Sequence, residues 1–233
     1  MRRLKDSCAA GTSAAGFTLI ELIIAIFVSL LVMAAIVLVY IEQRKSSTMQ
    51  DEVANIQQEL RGALVILTKE IRMAGCDPKE TGAAGFLVAT PTQLQFTRDI
   101  KGDAAHPNMA NGTVDDPDEN IAYSFTPAAN STASLLRQSS AAAGFQSLAD
   151  DIEELEFNYI LADGTSSPAP GDLGQIRAVQ VSMLARATRP SSDMIGSVTY
   201  TTPGGSVWAR PADHFRRKYV TVTIGCRNMW YAK

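Results

Sequence analysis

The chain has 233 residues, of which 46% are hydrophobic and 19% are charged, and its formal net charge is −3. This acidic balance argues against general nucleic-acid binding, which needs clustered lysine and arginine to neutralise phosphate. Three cysteines and two histidines, with no two cysteines at metal-ligand spacing, provide no zinc ligand set. We therefore expect neither a metal ion nor another cofactor.

The N-terminal region combines a basic stretch, a Gly-Phe junction and a long apolar run. The basic residues are Arg2, Arg3 and Lys5, the junction is Gly16-Phe17, and the twenty residues from Leu22 to Ile41 carry no charge. Twenty helical residues span about 30 Å, the thickness of a bilayer's hydrocarbon core. We therefore expect a membrane helix whose basic flank stays in the cytoplasm and whose C-terminal body lies outside.

The position of the Gly16-Phe17 junction separates this region from an ordinary secretory signal peptide. A signal peptide is cut after its apolar stretch, whereas this junction precedes the stretch, so cleavage here would leave the membrane helix on the mature protein. Glu21 stands at the edge of the apolar run, where a carboxylate needs a partner. After cleavage the nearest cation is the new α-amine of Phe17, in the same helix or on a neighbouring subunit.

The segment Gly16-Phe17-Thr18-Leu19-Ile20-Glu21, followed by an apolar helix, resembles the class III leader of type IV pilins and of type II secretion pseudopilins. The resemblance implies that a prepilin peptidase removes a leader of residues 1–16 after Gly16 and N-methylates Phe17. It also implies that Glu21 guides docking into a growing filament. The expected location is then the inner membrane, as a single-pass protein with a cytoplasmic N-terminus, followed by the pilus, the periplasm or the cell surface.

The helix is predicted to continue past the membrane, through residues 17–74. Its transmembrane part covers about residues 20–41, and the remainder is amphipathic, because apolar residues recur there at steps of three and four: Val53, Ile56, Leu60, Leu64, Leu67 and Ile71. Gly75 followed by Asp77-Pro78 predicts the end of the helix. No proline occurs between residues 17 and 77, so we expect a continuous helix. Many major pilins have a proline midway through the membrane helix, so the resemblance, with this departure, implies a minor pilin or pseudopilin better than a major subunit.

Residues 75–233 are predicted to form a β-rich periplasmic or extracellular head. Polar and apolar residues alternate in several short segments that are separated by loops rich in Gly, Pro, Ser, Asp and Asn. The predicted strands are Phe86–Thr90, Gln93–Arg98, Ile121–Thr126, Leu135–Gln138, Ile152–Leu161, Ile176–Arg186, Val198–Thr202 and Tyr219–Asn228. The expected fold class is therefore α+β, with a long N-terminal transmembrane and amphipathic helix packed on an antiparallel sheet, as in type IV pilins.

Three segments resemble the PilW family of minor pilins: Lys69–Pro78 at the end of the long helix, and Ile176–Arg186 and His214–Asn228 in the head. The resemblance implies a minor pilin that helps to initiate or cap pilus assembly. Its partners would be the prepilin peptidase, other minor and major pilins, the inner-membrane assembly machinery and the membrane, without nucleic acid. Two alternatives remain open: a J-type minor pseudopilin of type II secretion, which the head resembles more faintly, and an adhesin-like binding subunit at the pilus tip.

Other polar motifs of the head favour structural interpretations over catalytic or binding ones. The acidic run Asp115–Asn120 lacks the spacing of a calcium loop and is interpreted as solvated. The basic run Arg216–Lys218 is interpreted as an exposed turn. His106 and His214 are far apart and form no recognisable catalytic arrangement, so we expect a structural protein and not an enzyme.

The sequence also supports expectations about two cysteines and two tryptophans of the head. Cys76 and Cys226 would both reach the periplasm, where disulfides persist, so the two alternatives are a disulfide between them or two buried free thiols. Trp208 and Trp230 are expected to be partly buried.

Overall fold

A computed structural model describes residues 16–102, 106, 109–128, 131–140, 144–191 and 193–230. The predicted leader, apart from Gly16, lies outside these residues, and so do its basic side chains. The described elements are one helix and ten strands. They are α1 (Leu19–Ile71), β1 (Phe86–Ala89), β2 (Gln93–Thr97), β3 (Asn120–Ser124), β4 (Ala133–Gln138), β5 (Gln146–Leu161), β6 (Ser166–Ser167), β7 (Ile176–Arg186), β8 (Val198–Thr201), β9 (Val207–Arg210) and β10 (Arg217–Gly225), with short 3-10 turns at Leu173–Gln175 and Arg227–Trp230.

Helix α1 runs through 53 residues without interruption. Its sequence contains no proline, so every residue past the first turn can donate its amide hydrogen to the helix. It ends at Ile71, three residues before the predicted end. The reason is a tightening of the last turn, where the amide of Met73 donates to the Glu70 carbonyl at 2.9 Å and Ala74 donates to Ile71 at 3.1 Å. Gly75 follows with a φ of 73°, a left-handed conformation that glycine adopts without strain.

The chain divides into two compact units, one up to Thr48 and one from Met49 onward. In the first unit every described residue is exposed, including the whole uncharged run. The second unit contains the remainder of α1 together with all ten strands. The C-terminal part of the helix is thus an integral element of the head.

The head is built on one antiparallel sheet with the strand order β1-β2-β3-β4-β5-β7-β10, to which the two-residue β6 adds at β5. Strand β7 pairs over almost its full length with the second part of β5, from Ile152–Ala185 to Leu161–Ile176. Strands β8 and β9 form a separate two-stranded hairpin. As predicted, the described head is an antiparallel sheet with a helix against it.

The core lies between α1 and one face of the large sheet. From the helix, Leu60, Leu67 and Ile71 are almost fully buried, as their spacing predicts, whereas Leu64 is only partly buried. From the last strand, Ile224 is buried and Val220 packs beside it, which confirms the predicted period of two. Each fully buried Leu or Ile side chain stabilises the head by roughly 1.5–3 kcal/mol relative to exposure.

The predicted ends of β1 to β4, β7 and β8 agree with the structure to within two residues, and the two-residue β6 was not predicted. Three larger differences concern β5, β9 and β10. Strand β5 begins at Gln146 instead of Ile152, because its first half pairs irregularly with β4 and lacks regular alternation. Strand β9 was not predicted, since its four residues become a strand only by pairing with β8. Strand β10 ends at Gly225 instead of Asn228, because a 3-10 turn begins at Arg227.

Candidate functional site

The N-terminus of α1 is capped by hydrogen bonds between Thr18 and Glu21. The backbone amide and the hydroxyl of Thr18 each donate to Oε2 of Glu21 at 2.8 Å, and the amide of Glu21 donates back to the Thr18 hydroxyl at 3.3 Å. This reciprocal pattern, with Thr at the cap and Glu three residues later, is a capping box. It fixes one carboxylate oxygen of Glu21 and leaves Oε1 without a partner among the described residues.

Gly16 and Phe17 stand outside this cap and are open to their surroundings. Phe17 is 92% exposed. A side chain added at Gly16 would meet no atom within 4 Å. The fold of the chain itself therefore sets no requirement for glycine at position 16, so a requirement there would have to come from another molecule.

The helix behind the cap has the length and composition of a membrane span. It is the single helix among the described residues that meets both criteria. Over its N-terminal part, residues 19–41, every side chain is exposed, with Leu38 66% exposed and Ile41 44% exposed. The hydroxyl of Ser29 donates to the carbonyl of Ala25 at 2.7 Å, so this polar group is satisfied within the helix, as a lipid environment requires.

In the head, a buried ionic cluster joins the end of α1 to the sheet. The carboxylate of Glu70, a residue that is 7% exposed, accepts two hydrogen bonds from the Arg137 guanidinium, at 2.9 Å from Nε and 2.5 Å from Nη2. The Tyr123 hydroxyl also donates to it, and Arg98 lies 3.7 Å away. Burial and the neighbouring Glu70 carboxylate raise the pKa of Tyr123, so the phenol stays protonated and remains a donor.

A second ionic cluster lies between the large sheet and the β8–β9 hairpin. Arg217 contacts Glu153 and Asp213 at 2.6 Å each, and Arg210 of the hairpin contacts Glu154. The hydrogen bond and charge of Arg217 lower the pKa of Asp213. The interpretation of Arg216–Lys218 as an exposed turn was wrong: Arg217 and Lys218 belong to β10, and the Arg217 side chain is 6% exposed.

The acidic run is only partly solvated. Oxygens of Asp115, Asp116 and Glu119 lie within 4.8 Å of one another. Glu119 itself is fully buried, and its carboxylate accepts hydrogen bonds from three backbone amides: Ile100 and Lys101 at 2.8 Å and Asp116 at 3.2 Å. These bonds give Glu119 a structural role in holding the loop.

Cys76 follows the end of α1, as predicted, whereas Cys226, predicted to lie within the last strand, comes directly after β10; both thiols are free. Burial raises the pKa of Cys226 to about 12, and burial together with nearby carboxylates raises the pKa of Cys76. Gly75 packs so closely on Met229 that a side chain at position 75 would overlap the Met229 sulfur. The segments that contain Cys76 and Cys226 are therefore neighbours.

The histidines and tryptophans form no common site. His106 and His214 are exposed and lie in separate loops. Trp208 is 9% exposed and packs edge-on against Tyr219 at 6.0 Å between ring centroids. Trp230 is 66% exposed, so the expectation that both tryptophans are partly buried holds for Trp208 alone. The 3-10 turn that carries Trp230 packs Met229 inward and leaves the indole in solvent.

Sequence reasoning missed the role of Glu70. The signal was present, because Glu70 follows Ala63 and Leu67 at steps of four and three and so lies on the buried stripe of the helix. A carboxylate on such a stripe must be paired, which predicts a buried cation from the sheet. Which arginine supplies it depends on strand pairing and could not be read from spacing.

Two family models match the chain. The model of the type IV pilus-assembly protein W family (PilW) matches residues 114–228, which include every strand from β3 to β10. The model of the prokaryotic N-terminal methylation motif matches residues 12–37, which includes Gly16, Phe17 and Glu21. No curated protein matches the chain.

Among solved structures, a type IV-like pilin from Thermus thermophilus has a similar fold, with a TM-score of 0.52 and 13% sequence identity. The match covers 74% of this chain and 96% of the Thermus chain. At this identity the similarity concerns the fold alone. This one chain combines an N-terminal methylation motif, a long apolar helix and a sheet-based head with a PilW domain. The protein is therefore a type IV pilin-like protein with a domain of the PilW family.

Proposed function

We propose that the chain is a minor pilin that helps to initiate or cap a type IV pilus. It enters the inner membrane as a single-pass protein, loses residues 1–16 and then packs its helix among those of other pilins. The observation that carries this proposal is the start of α1, where the capping box presents a half-free Glu21 carboxylate beside the exposed Phe17. PilW membership and the uninterrupted helix support a minor subunit over a major one.

The proposed cleavage lies between Gly16 and Phe17. The supporting observations are the matching methylation motif and the openness of both residues. Gly16→Val should leave the full-length precursor in the membrane, since the chain itself tolerates a side chain there but the peptidase is expected to need glycine. Mass spectrometry of the wild-type protein should find N-methylated Phe17 at the new N-terminus. Normal maturation of the Gly16→Val variant would contradict this assignment.

The proposed docking group is the Glu21 carboxylate, which would meet the Phe17 amine of a neighbouring subunit. In a bundle of helices without water an unpaired carboxylate is costly, so a matched amine favours entry into the filament. Glu21→Gln keeps the shape and removes the charge. We expect normal membrane insertion and cleavage of this variant but a lower ratio of the subunit in sheared pili to that in membranes. An unchanged ratio would mean that the Glu21 carboxylate is not the docking group and that only the surface of the helix directs docking.

The step served by this subunit can be tested by counting and measuring pili. A subunit that primes or caps assembly acts once per filament, so its deletion should lower the number of pili per cell while the remaining pili keep their normal length. A shaft subunit would instead alter length or fragility. If deletion left pili unchanged and blocked protein secretion across the outer membrane, the type II pseudopilin alternative would replace the proposal.

A further inference from the structure

The last strand of the large sheet has a partner on one side only. Strand β10 is terminal in the strand order and pairs with β7 alone among the described strands. Two hydrogen bonds at its ends, from the Ala187 amide to the Arg216 carbonyl and from the Cys226 amide to the Arg177 carbonyl, fix which residues face β7. In an antiparallel pair these positions alternate, so the even-numbered residues of β10 bond to β7 and the odd-numbered ones point away.

The outward edge of β10 is long and regular. The backbone groups of Tyr219, Thr221 and Thr223 point outward and bond to no other backbone group in the described part of the chain. Natural edge strands are usually short, bulged or interrupted by proline. Strand β1, at the opposite edge, has four residues and a register shift, whereas β10 has nine residues, no proline and an unbroken register. Strand β10 is therefore an edge that another strand can extend.

A groove on the head is bordered by both β10 and α1. Its lining includes Leu64 and Thr68 of the helix and Lys218 and Val220 of the strand, all within the unit that begins at Met49. Its volume is about 1550 Å³, above the roughly 300–1,000 Å³ of pockets for small molecules. The groove therefore has room for a stretch of polypeptide.

The groove is basic, although the whole chain is acidic. Its lining includes exposed cations, which we call the groove cations and which make no ion pair with any described residue: Arg61, Lys69, Arg72, Lys218 and Arg227. The carboxylates in the lining are already engaged, Glu70 by Arg137 at 2.5 Å and Asp118 by Lys101 at 3.0 Å. The groove cations thus call for negative charge from another molecule.

The groove and the edge together favour protein over nucleic acid. Arg61, Val65, Thr68 and Arg72 recur at steps of four, three and four, so they share one face of α1, on which Val65 is 62% exposed. Apolar side chains ringed by charges are the usual anatomy of a protein interface. The edge of β10 offers amides and carbonyls in alternation, which another peptide backbone matches. Phosphate oxygens would accept from the amides but leave the carbonyls without donors.

We infer that the β10 edge and the basic groove together bind an extended acidic segment of a partner protein, which adds to the large sheet as a further strand. The segment's backbone pairs with Thr221 and Thr223, and every second side chain faces the groove. Carboxylates at these positions meet the groove cations, and apolar side chains meet Val65 and Val220. In such strand addition the main-chain hydrogen bonds provide affinity and the alternate side chains provide specificity.

The inference adds a binding partner to the proposed function and rests on it in one respect. A subunit that is present once per filament has no second copy beside it, so the segment belongs to a different protein. The site itself consists of residues of the head alone, so its binding can be measured apart from pilus assembly.

The experiment uses the full-length protein in detergent micelles and a fluorescent synthetic peptide as long as β10. In this acidic peptide, Thr alternates with groove-facing residues in the order Glu, Val, Val and Glu. Fluorescence anisotropy should show saturable binding that high salt weakens. The same peptide with methyl groups on the amides that face β10 cannot donate to the strand and should not bind. A peptide with Lys in place of Glu should bind at least about tenfold more weakly.

Two double variants test the contribution of the groove cations. Arg61→Gln with Arg72→Gln should weaken binding of the acidic peptide about tenfold, because two of the cations that meet its carboxylates are removed. The matched control is Lys79→Gln with Arg189→Gln, which neutralises two exposed cations outside the groove and should bind as wild type.

Two single variants test the edge. Thr223→Pro removes an outward amide, and no hydrogen bond to β7 is lost because that amide faces away from β7. It should abolish binding, whereas Thr223→Ala keeps the amide and should bind as wild type. Circular dichroism must show an unchanged melting temperature for each variant, and the methylated peptide tests the same hydrogen bonds if Thr223→Pro does not fold.

Absence of saturable binding of the acidic peptide to the wild-type protein would overturn the inference, and so would equal binding of the methylated peptide. If the peptide fails to bind but a DNA duplex binds, and Arg61→Gln with Arg72→Gln abolishes that binding, the groove is a nucleic-acid site instead. Pilus number and the incorporation of the Glu21→Gln variant are separate readouts, so this inference and the proposed function can fail independently.

Discussion

Glu70 of α1 and Arg137 of β4 form a two-point ion pair across the core, 67 residues apart in sequence. The Glu70 side chain is 9% exposed and that of Arg137 is 23% exposed, so the pair is mostly shielded from water. Tyr123 of β3 and Arg98, which follows β2, contact the same carboxylate, so one residue of the helix binds three side chains from the sheet side of the head. The position of the helix end on the head depends on this contact.

Glu70→Ala is expected to lower the free energy of unfolding of the head by roughly 3 kcal/mol, because it leaves arginines without their buried counter-charge. Glu59→Ala, an exposed glutamate on the same helix, is the matched control and should stay within about 0.5 kcal/mol of wild type. Urea unfolding in micelles, followed by tryptophan fluorescence, measures both. Equal stability of the two variants would mean that the pair contributes nothing.

Gly204→Ala is expected to destabilise the contact between the hairpin and the sheet. A Cβ there would lie 2.7 Å from Oε1 of Glu156, which is buried and accepts a hydrogen bond from Ser206 at 2.6 Å. Such overpacking costs roughly 1–3 kcal/mol. Gly196→Ala is the control, since an added methyl there meets no atom within 4 Å. The melting temperature should fall for the first variant alone, and equal melting of both would refute this account.

Thr18→Val is expected to reduce entry into pili although Glu21 remains. Thr18 donates two of the bonds that orient the Glu21 carboxylate, and Thr18→Ser keeps the hydroxyl. The ratio of subunit in sheared filaments to subunit in membranes should therefore fall for valine and recover for serine. N-terminal mass analysis must show normal cleavage in both. If serine fails like valine, the hydroxyl is not what matters.

The disulfide between Cys76 and Cys226 stays a prediction for the exported, oxidised protein. Their segments meet where Gly75 packs on Met229, and a bridge would tie the end of α1 to the end of the sheet. Peptide mapping without reductant should find the two cysteines linked. If alkylation of the unfolded, unreduced protein labels both, the thiols are free in the cell as they are in the structure.

The sequence predicted the local elements well, because periodicity is a local signal. The apolar spacing of α1 and the period of two in β10 each identify a buried face, and both faces are buried as expected. The environment of Glu70 and the buried position of Arg217 were not predictable, since both depend on partners more than 60 residues away. At the helix start the motif predicted the functional residues, but the hydrogen bonds of Thr18 became visible only in the geometry.

The strand order has a consequence for how the head is made. From β1 to β5 each strand pairs with the one just before it in the chain, and β7 and β10 then extend the same edge. If the chain crosses the membrane with its N-terminal helix first, the large sheet can therefore form one strand at a time. Each strand that emerges can pair with a strand that has already emerged. Ile224, which lies in the core cluster together with residues of α1, belongs to β10, the last of these strands in chain order. We expect the apolar face of the helix to remain incompletely covered until β10 has emerged, so, if the head is exported as proposed, that interval is the period of its greatest exposure to proteases and chaperones.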